Sequence, residues 1–146
     1  LAEIDGTLIK ANDEVTSRLA LASGGRIFRH RKQTFANDEP VALHILHMRP
    51  SLARVLGPEL GELFIFSLLK KRSIAIDNLK CEFSCATLSV EHARLLQQQA
   101  GHPALRVDYT AFGKGGKPLL LGKTIGRPDR FVFEVNLARR KGARAG

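Results

Sequence analysis

The stretch GHPALRVDYTAFGKGGKPLLLGKTIGRPDRFVFEV, Gly101–Val135, decides how the chain folds. Leu105, Val107, Tyr109 and Ala111 fall on one side of an extended segment, and Arg106, Asp108 and Thr110 on the other. GKGGK follows, and LLLGKTIG then returns antiparallel. A phosphate-cradling loop would need a helix after its glycines and a Lys-Ser or Lys-Thr pair to close it. A strand follows here, so GKGGK reads as a hairpin turn. Phe131, Phe133, Val135 and Leu137 alternate through a last predicted strand. The basic GKTIGR run leaves two readings open: plain sheet with scattered cations, or one wall of a pocket for an anion.

Upstream, RIFRHRKQTF and VALHILHM flank Asn37-Asp38-Glu39-Pro40, turn residues that predict a second hairpin. Its first arm crowds Arg26, Arg29, Arg31 and Lys32 into seven positions. Asn12 is placed to cap a first helix, with Asp13 and Glu14 in its first turn. Pro50 opens a helical stretch through Leu56. Pro58 suits the first position of another helix. In that helix Leu60, Leu63, Phe64, Ser67 and Leu68 form one stripe, with Lys70, Lys71 and Arg72 in the last turn. KCEFSCATL reads as a half-buried strand. Ser89 caps the helix after it, and Gly101 is expected to end that helix. The sum is an α+β fold, an antiparallel sheet of about six strands with helices inserted between the hairpins.

The chain has 146 residues, 44% of them hydrophobic, which suits one globular domain with one core. No run approaches eighteen apolar residues and no signal peptide is visible, so a membrane span is not expected and a cytoplasmic location is. Net charge is +9, from 23 basic and 14 acidic residues, which favours an anionic partner. Part of the excess lies in the basic segment 139–146, expected to be a disordered tail, leaving 1–138 as the domain. Cys81 and Cys85 would lie on one face of a strand about 13 Å apart, too far for a disulfide or a shared metal. They read as buried free thiols. His44 and His47 point to opposite faces of a strand, so no metal site is expected from them. No nucleophile elbow and few paired carboxylates are present, so no hydrolytic or acid–base centre emerges, and no cofactor is implied. If the basic hairpin arm and the KTIGR strand are neighbours, Lys32, Lys123 and Arg127 frame an anionic ligand.

Three stretches resemble the UTRA domain. SRLALASGGRIFRHRKQTFANDEPVALHILHMRPSLARVL is similar to its opening, with NDEPVA at the family's hairpin turn. LFIFSLLKKRSIAIDNLKCEFSCATLSVEHARLLQQQAGHPALRVDYTAF is similar to its middle. GGKPLLLGKTIGRPDRFVFEVNLAR matches its ending, with Gly116, Pro118, Arg127, Asp129, Arg130 and Phe133 in place. The resemblance implies a chorismate lyase-like fold and the effector-binding, dimerising half of a GntR/HutC-type bacterial transcription regulator. Its DNA contact would be made through an N-terminal winged helix-turn-helix that these 146 residues do not include. It implies a homodimer, and a small-molecule effector that is anionic or a small acid.

Where two arginines precede the first turn in sugar-phosphate-sensing relatives, this chain has Lys32 and Thr34. His44 stands for an acidic residue, Phe64 for a serine, and Leu120 for a glutamate. These departures imply an effector less polar than a sugar phosphate. The resemblance places the pocket between the sheet and the middle helix, lined by Lys32, Thr34, His44, Phe64, Phe66, Tyr109, Lys123 and Arg127. The alternative is a chorismate lyase-like enzyme. The lyase's catalytic glutamate would fall near Lys123, and a lysine cannot act as that acid, so the domain is expected not to be an enzyme.

Overall fold

The structure, a computed structural model, describes residues 1–136. Leu137 and the expected tail at 139–146 lie outside the described residues. Six antiparallel strands form one sheet in the order β1-β2-β3-β6-β5-β4. They are β1 (Ala2–Lys10), β2 (Arg26–Ala36), β3 (Glu39–Met48), β4 (Asn78–Thr87), β5 (Pro103–Phe112) and β6 (Pro118–Gly126). The two predicted hairpins are present. Ala36 pairs with Glu39 across Asn37 and Asp38. Both turn residues have positive φ, 51° and 63°, the backbone that a two-residue turn between twisted strands requires and that Asn and Asp tolerate. Gly115 and Gly116, at φ 73° and 72°, turn the second hairpin.

The strand count matches the sequence reading, but its membership differs. β1 was not read from the sequence, because AEIDGTLIK carries an Asp-Gly pair where a strand signal should be. It is held by β2 at the sheet's edge. The predicted last strand is not a strand in its described part. Residues 131–136 make no ladder with the sheet. Their alternation survives, with Phe131 and Phe133 half-buried and Val132 85% exposed.

Helices cover both faces of the sheet. On the rear face, α1 (Asp13–Arg18) is capped as expected, the Val15 N–H donating to Asn12 Oδ1 at 2.9 Å. Val15 and Leu19 pack there on Ile27 and Leu121. The other rear helix, α4 (Val90–Leu95), has Ser89 as its cap. It seats Ala93 and Leu96 against Leu43 and Ile125. It stops well before Gly101; Gln97, at φ 52°, already leaves the helix. On the front face, α2 (Pro50–Leu56) and α3 (Ile65–Lys71) close over Leu46, Met48, Tyr109, Ala111 and Leu120.

The single helix expected from Pro58 to Arg72 is broken. A 3₁₀ turn, Pro58–Leu60, comes first, and Phe64 is extended before α3 begins. The reason is Lys32. Its ammonium donates to the Leu60 carbonyl at 2.9 Å and the Leu63 carbonyl at 2.5 Å. In a continuous helix those carbonyls would accept from the amides four residues on. The break turns Phe64 out of the apolar stripe, and it is 51% exposed.

Cys81 and Cys85, expected to be buried, are a further correction. Both are exposed, because β4 is an edge strand with no helix over it.

Candidate functional site

Cross-strand pairing sets which side chains meet. Lys32 of β2 pairs with His44 of β3, His44 with Thr124 of β6, Thr124 with Val107 of β5, and Val107 with Phe83 of β4. Directly paired residues share a face, so this row runs across the front of the sheet. The next row holds His30, Leu46, Gly122, Tyr109 and Cys81. Between these rows, the start of α3 and the segment after β6 lies a hollow of about 380 Å³. The sheet supplies His44, Val107, Tyr109, Thr124 and the β4 side chains Leu79, Cys81 and Phe83. The helix start supplies Phe64, Ile65 and Phe66, and the last described residues supply Phe133, Glu134 and Val135.

Two glycines make the room. A Cβ on Gly122 would lie 1.8 Å from Tyr109 Cζ, so the tyrosine ring lies directly over the glycine. Phe66 then packs on Tyr109, centroids 5.4 Å apart. Gly126 plays the same part for Phe131, whose ring would be 2.8 Å from a Cβ there. Phe131 contacts Phe133 at 4.7 Å, and Phe133 contacts Phe83 at 5.8 Å. The segment after β6 thus crosses the front face and roofs the hollow with aromatic rings.

The polar end is built on His44. Nε2 shares a hydrogen bond of 2.8 Å with Thr34 Oγ1, and Nδ1 one of 3.2 Å with Thr124 Oγ1. Phe64 stands edge-on to the ring at 6.0 Å. Burial pushes the His44 pKa down to about 4, and the nearby Lys32 and N-terminal ammonium push the same way, so the imidazole is neutral at neutral pH. Burial also raises the Tyr109 hydroxyl above its ordinary range, which keeps it protonated. Lys32 is 2% exposed and its pKa falls to about 8, burial outweighing the pull of Glu3.

Of the eight residues expected in the pocket, His44, Phe64, Phe66 and Tyr109 line this hollow. Thr34 stands behind His44, and Lys32 is its cross-strand neighbour, committed to the Leu60–Leu63 turn. Lys123 does not join them. Its odd register puts it on the rear face, 3.9 Å from Asp108. Arg127 lies beyond β6 and grips Asp129 through Nε and Nη2, at 3.2 and 2.8 Å, with Glu39 3.8 Å away. β2 and β6 are not neighbours, since β3 lies between them, so Lys32, Lys123 and Arg127 do not frame a common site. Thr124, Val107 and Phe83 were missed. All three follow from the register of His44, which could not be fixed before the strand order was known.

A larger hollow of about 590 Å³ lies across the Leu60 turn, between the β1–β2 edge and α2. Leu8, Phe28, Pro50, Ala53 and Pro58 wall it, and its buried His30 meets Glu3 at 2.9 Å. None of the eight expected residues lines it.

The family model of the UTRA domain matches residues 4–132. The chain belongs to the UTRA domain family. This UTRA domain is 28% identical over 131 residues to the HTH-type transcriptional repressor NagR of Bacillus subtilis, covering 89% of the chain and 54% of that protein. It is 29% identical over 114 residues to the HTH-type transcriptional regulator Rv0792c of Mycobacterium tuberculosis, covering 75% of the chain and 42% of that protein. It therefore spans about half the length of the curated relatives it matches. Among solved structures, a GntR-family transcriptional regulator from Enterococcus faecalis superposes with a TM-score of 0.82 at 23% identity, covering 92% of this chain and 98% of that one. The effector domain of PhnF from Mycobacterium smegmatis gives 0.78 at 15% identity, covering 94% and 86%. At these identities the solved structures establish the fold of this UTRA domain and nothing finer.

Proposed function

We propose that this UTRA domain is the small-molecule sensor of a GntR-family transcription regulator, and that the hollow under Phe64, Phe66 and Phe133 receives the effector. The observation that carries the reading is the convergence of His44, Phe64, Phe66 and Tyr109 on one cavity, held open by Gly122. The regulator names of the curated relatives support it. The chorismate lyase-like alternative is not favoured: the residue near its catalytic glutamate, Lys123, faces away from the hollow.

The mechanism is a shift between populations of a two-state assembly. DNA is contacted through a winged helix-turn-helix elsewhere in the full-length regulator, acting in the cytoplasm. The domain pairs as a homodimer. The β4 edge supports this, open along its length with Leu79 and Phe83 exposed. No helix of the described residues is long and apolar enough to cross a membrane.

Thermal-shift screening of the 146-residue chain against small metabolites tests the sensor reading. A ligand at a hundredfold excess over its dissociation constant adds about 2.7 kcal/mol of apparent stability. A broad library that raises the melting temperature with no member contradicts the reading. Light scattering gives the oligomeric state, and a monomer at high concentration contradicts the dimer.

A further inference from the structure

We infer that the effector of this domain is an uncharged, mostly apolar ring compound carrying one hydroxyl, carbonyl or amide head, and not an acid or a phosphate. This rests on the reading that the 380 Å³ hollow is the effector site, and it names the chemical class that site accepts.

The walls decide the body of the ligand. Phe64, Phe66, Phe83, Phe133 and Tyr109 present ring faces and edges, which match a ring rather than a flexible polar chain. A volume of about 380 Å³ lies at the small end for a ligand pocket.

The polar end decides the head. Both nitrogens of His44 are taken by hydroxyls, so the groups left to serve a ligand are the neutral hydroxyls of Thr124 and Tyr109. A neutral imidazole donates through one nitrogen and accepts through the other. If Nδ1 donates to Thr124, the threonine hydroxyl is free to donate to a carbonyl. If Nδ1 accepts, the threonine oxygen still accepts from a ligand O–H or N–H. Either tautomer leaves Thr124 one neutral hydrogen bond to make, as donor in the first case and as acceptor in the second.

Charge decides against an anion. Among the described lining residues none is a lysine or arginine, the imidazole of His44 has both nitrogens engaged, and the one carboxylate is Glu134. The cations that made an acid attractive are engaged elsewhere: Lys123 on the rear face, Arg127 with Asp129, Lys32 with two carbonyls. Drawing Lys32 into the hollow would release the turn that seats Phe64 and Phe66. Among the described residues a carboxylate or phosphate buried there would meet Glu134 and no counter-ion, and burying an unpaired charge is heavily disfavoured.

The test uses charge-matched probes of one shape: cyclohexaneacetamide, cyclohexaneacetate and 2-cyclohexylethylamine, with the corresponding two-ring homologues. Each is titrated against the 146-residue chain by calorimetry at low and high salt. The amides are expected to bind at least tenfold more tightly than the acids and amines, with an affinity that does not change with salt. Thr124→Val is expected to weaken the amides about tenfold, while Thr87→Val, on the exposed edge strand, leaves them unchanged. Tighter binding of the acids, weakened by salt, overturns the charge inference and leaves the sensor reading standing. Tighter binding of the amines overturns it likewise. If no neutral probe binds, and broad screening finds only charged ligands, the inference falls alone. If broad screening finds no ligand of any charge, the sensor reading falls with it.

Discussion

The two faces of this sheet carry side chains from the same strands and differ in kind. On the rear face the cations are answered by carboxylates. Arg31 pairs with Asp5 and with Glu91, Arg106 with Asp108, and Lys123 lies beside the same aspartate. On the front face, one residue further along each strand, the strand side chains around the hollow are uncharged: aromatic, aliphatic, thiol, hydroxyl or imidazole. A strand's period of two sorts a basic sequence into a charged side and an apolar side. Net charge therefore says little about a pocket until each cation has been assigned to a face.

The largest break in this contrast is expected from Gly122→Ala. The new methyl would overlap the Tyr109 ring on the front face. Overpacking of this kind costs about 3 kcal/mol, read by urea unfolding, and should abolish ligand binding as Tyr109 is displaced. A change under about 0.5 kcal/mol would mean that the ring does not lie over the glycine.

Next come two lysines of opposite faces. Lys32→Met leaves the Leu60 and Leu63 carbonyls without their donor and should cost about 2 kcal/mol. Lys123→Met removes a partly exposed cation 3.9 Å from its partner and should change stability by less than about 0.5 kcal/mol. Equal effects would erase the distinction between the faces.

Histidine titration samples both faces at once. His44 in front and His47 behind each have a pKa of about 4 when folded, lowered first by burial. The unfolded chain takes up its protons near 6.5, so stability should be full above that value and decline as pH falls from about 6.5 towards 4. The two groups together should lose about 4 kcal/mol between pH 7.5 and 5, and His47→Gln should remove about half of that loss. A flat profile would show that neither imidazole is held neutral. Phe66→Ala is expected to cost only about 0.5–1 kcal/mol of stability because the ring is 40% exposed, with ligand affinity falling about tenfold.

Much of the sheet was legible because its signals are local. Asn37-Asp38 and GKGGK name their turns, and Asn12, Pro50 and Ser89 mark their helix starts. The failures required knowledge of what lay opposite. The stripe from Leu60 to Leu68 is helical in pattern, yet Lys32, some thirty residues away in sequence, takes the carbonyls and breaks it. The alternation of Phe131 and Phe133 is genuine, but the partners are the Gly126 backbone and the Phe83 ring rather than a neighbouring strand. Cys81 and Cys85 alternate like core residues but lie on an edge. Of the residues expected through the family resemblance, His44, Phe64, Phe66 and Tyr109 are the four that border the proposed hollow. Lys123 and Arg127 were included because their charge could be read and their facing could not.

The central claim is that ligand enters beside Tyr109. That residue is the one tyrosine of a chain without tryptophan, so its emission reports on the hollow alone. The most direct measurement is a tyrosine fluorescence titration with the non-absorbing cyclohexyl probe or metabolite that stabilises the chain most. The account predicts a saturable change in emission with the same dissociation constant that calorimetry gives. A ligand that binds by calorimetry and leaves the tyrosine emission unchanged would contradict it.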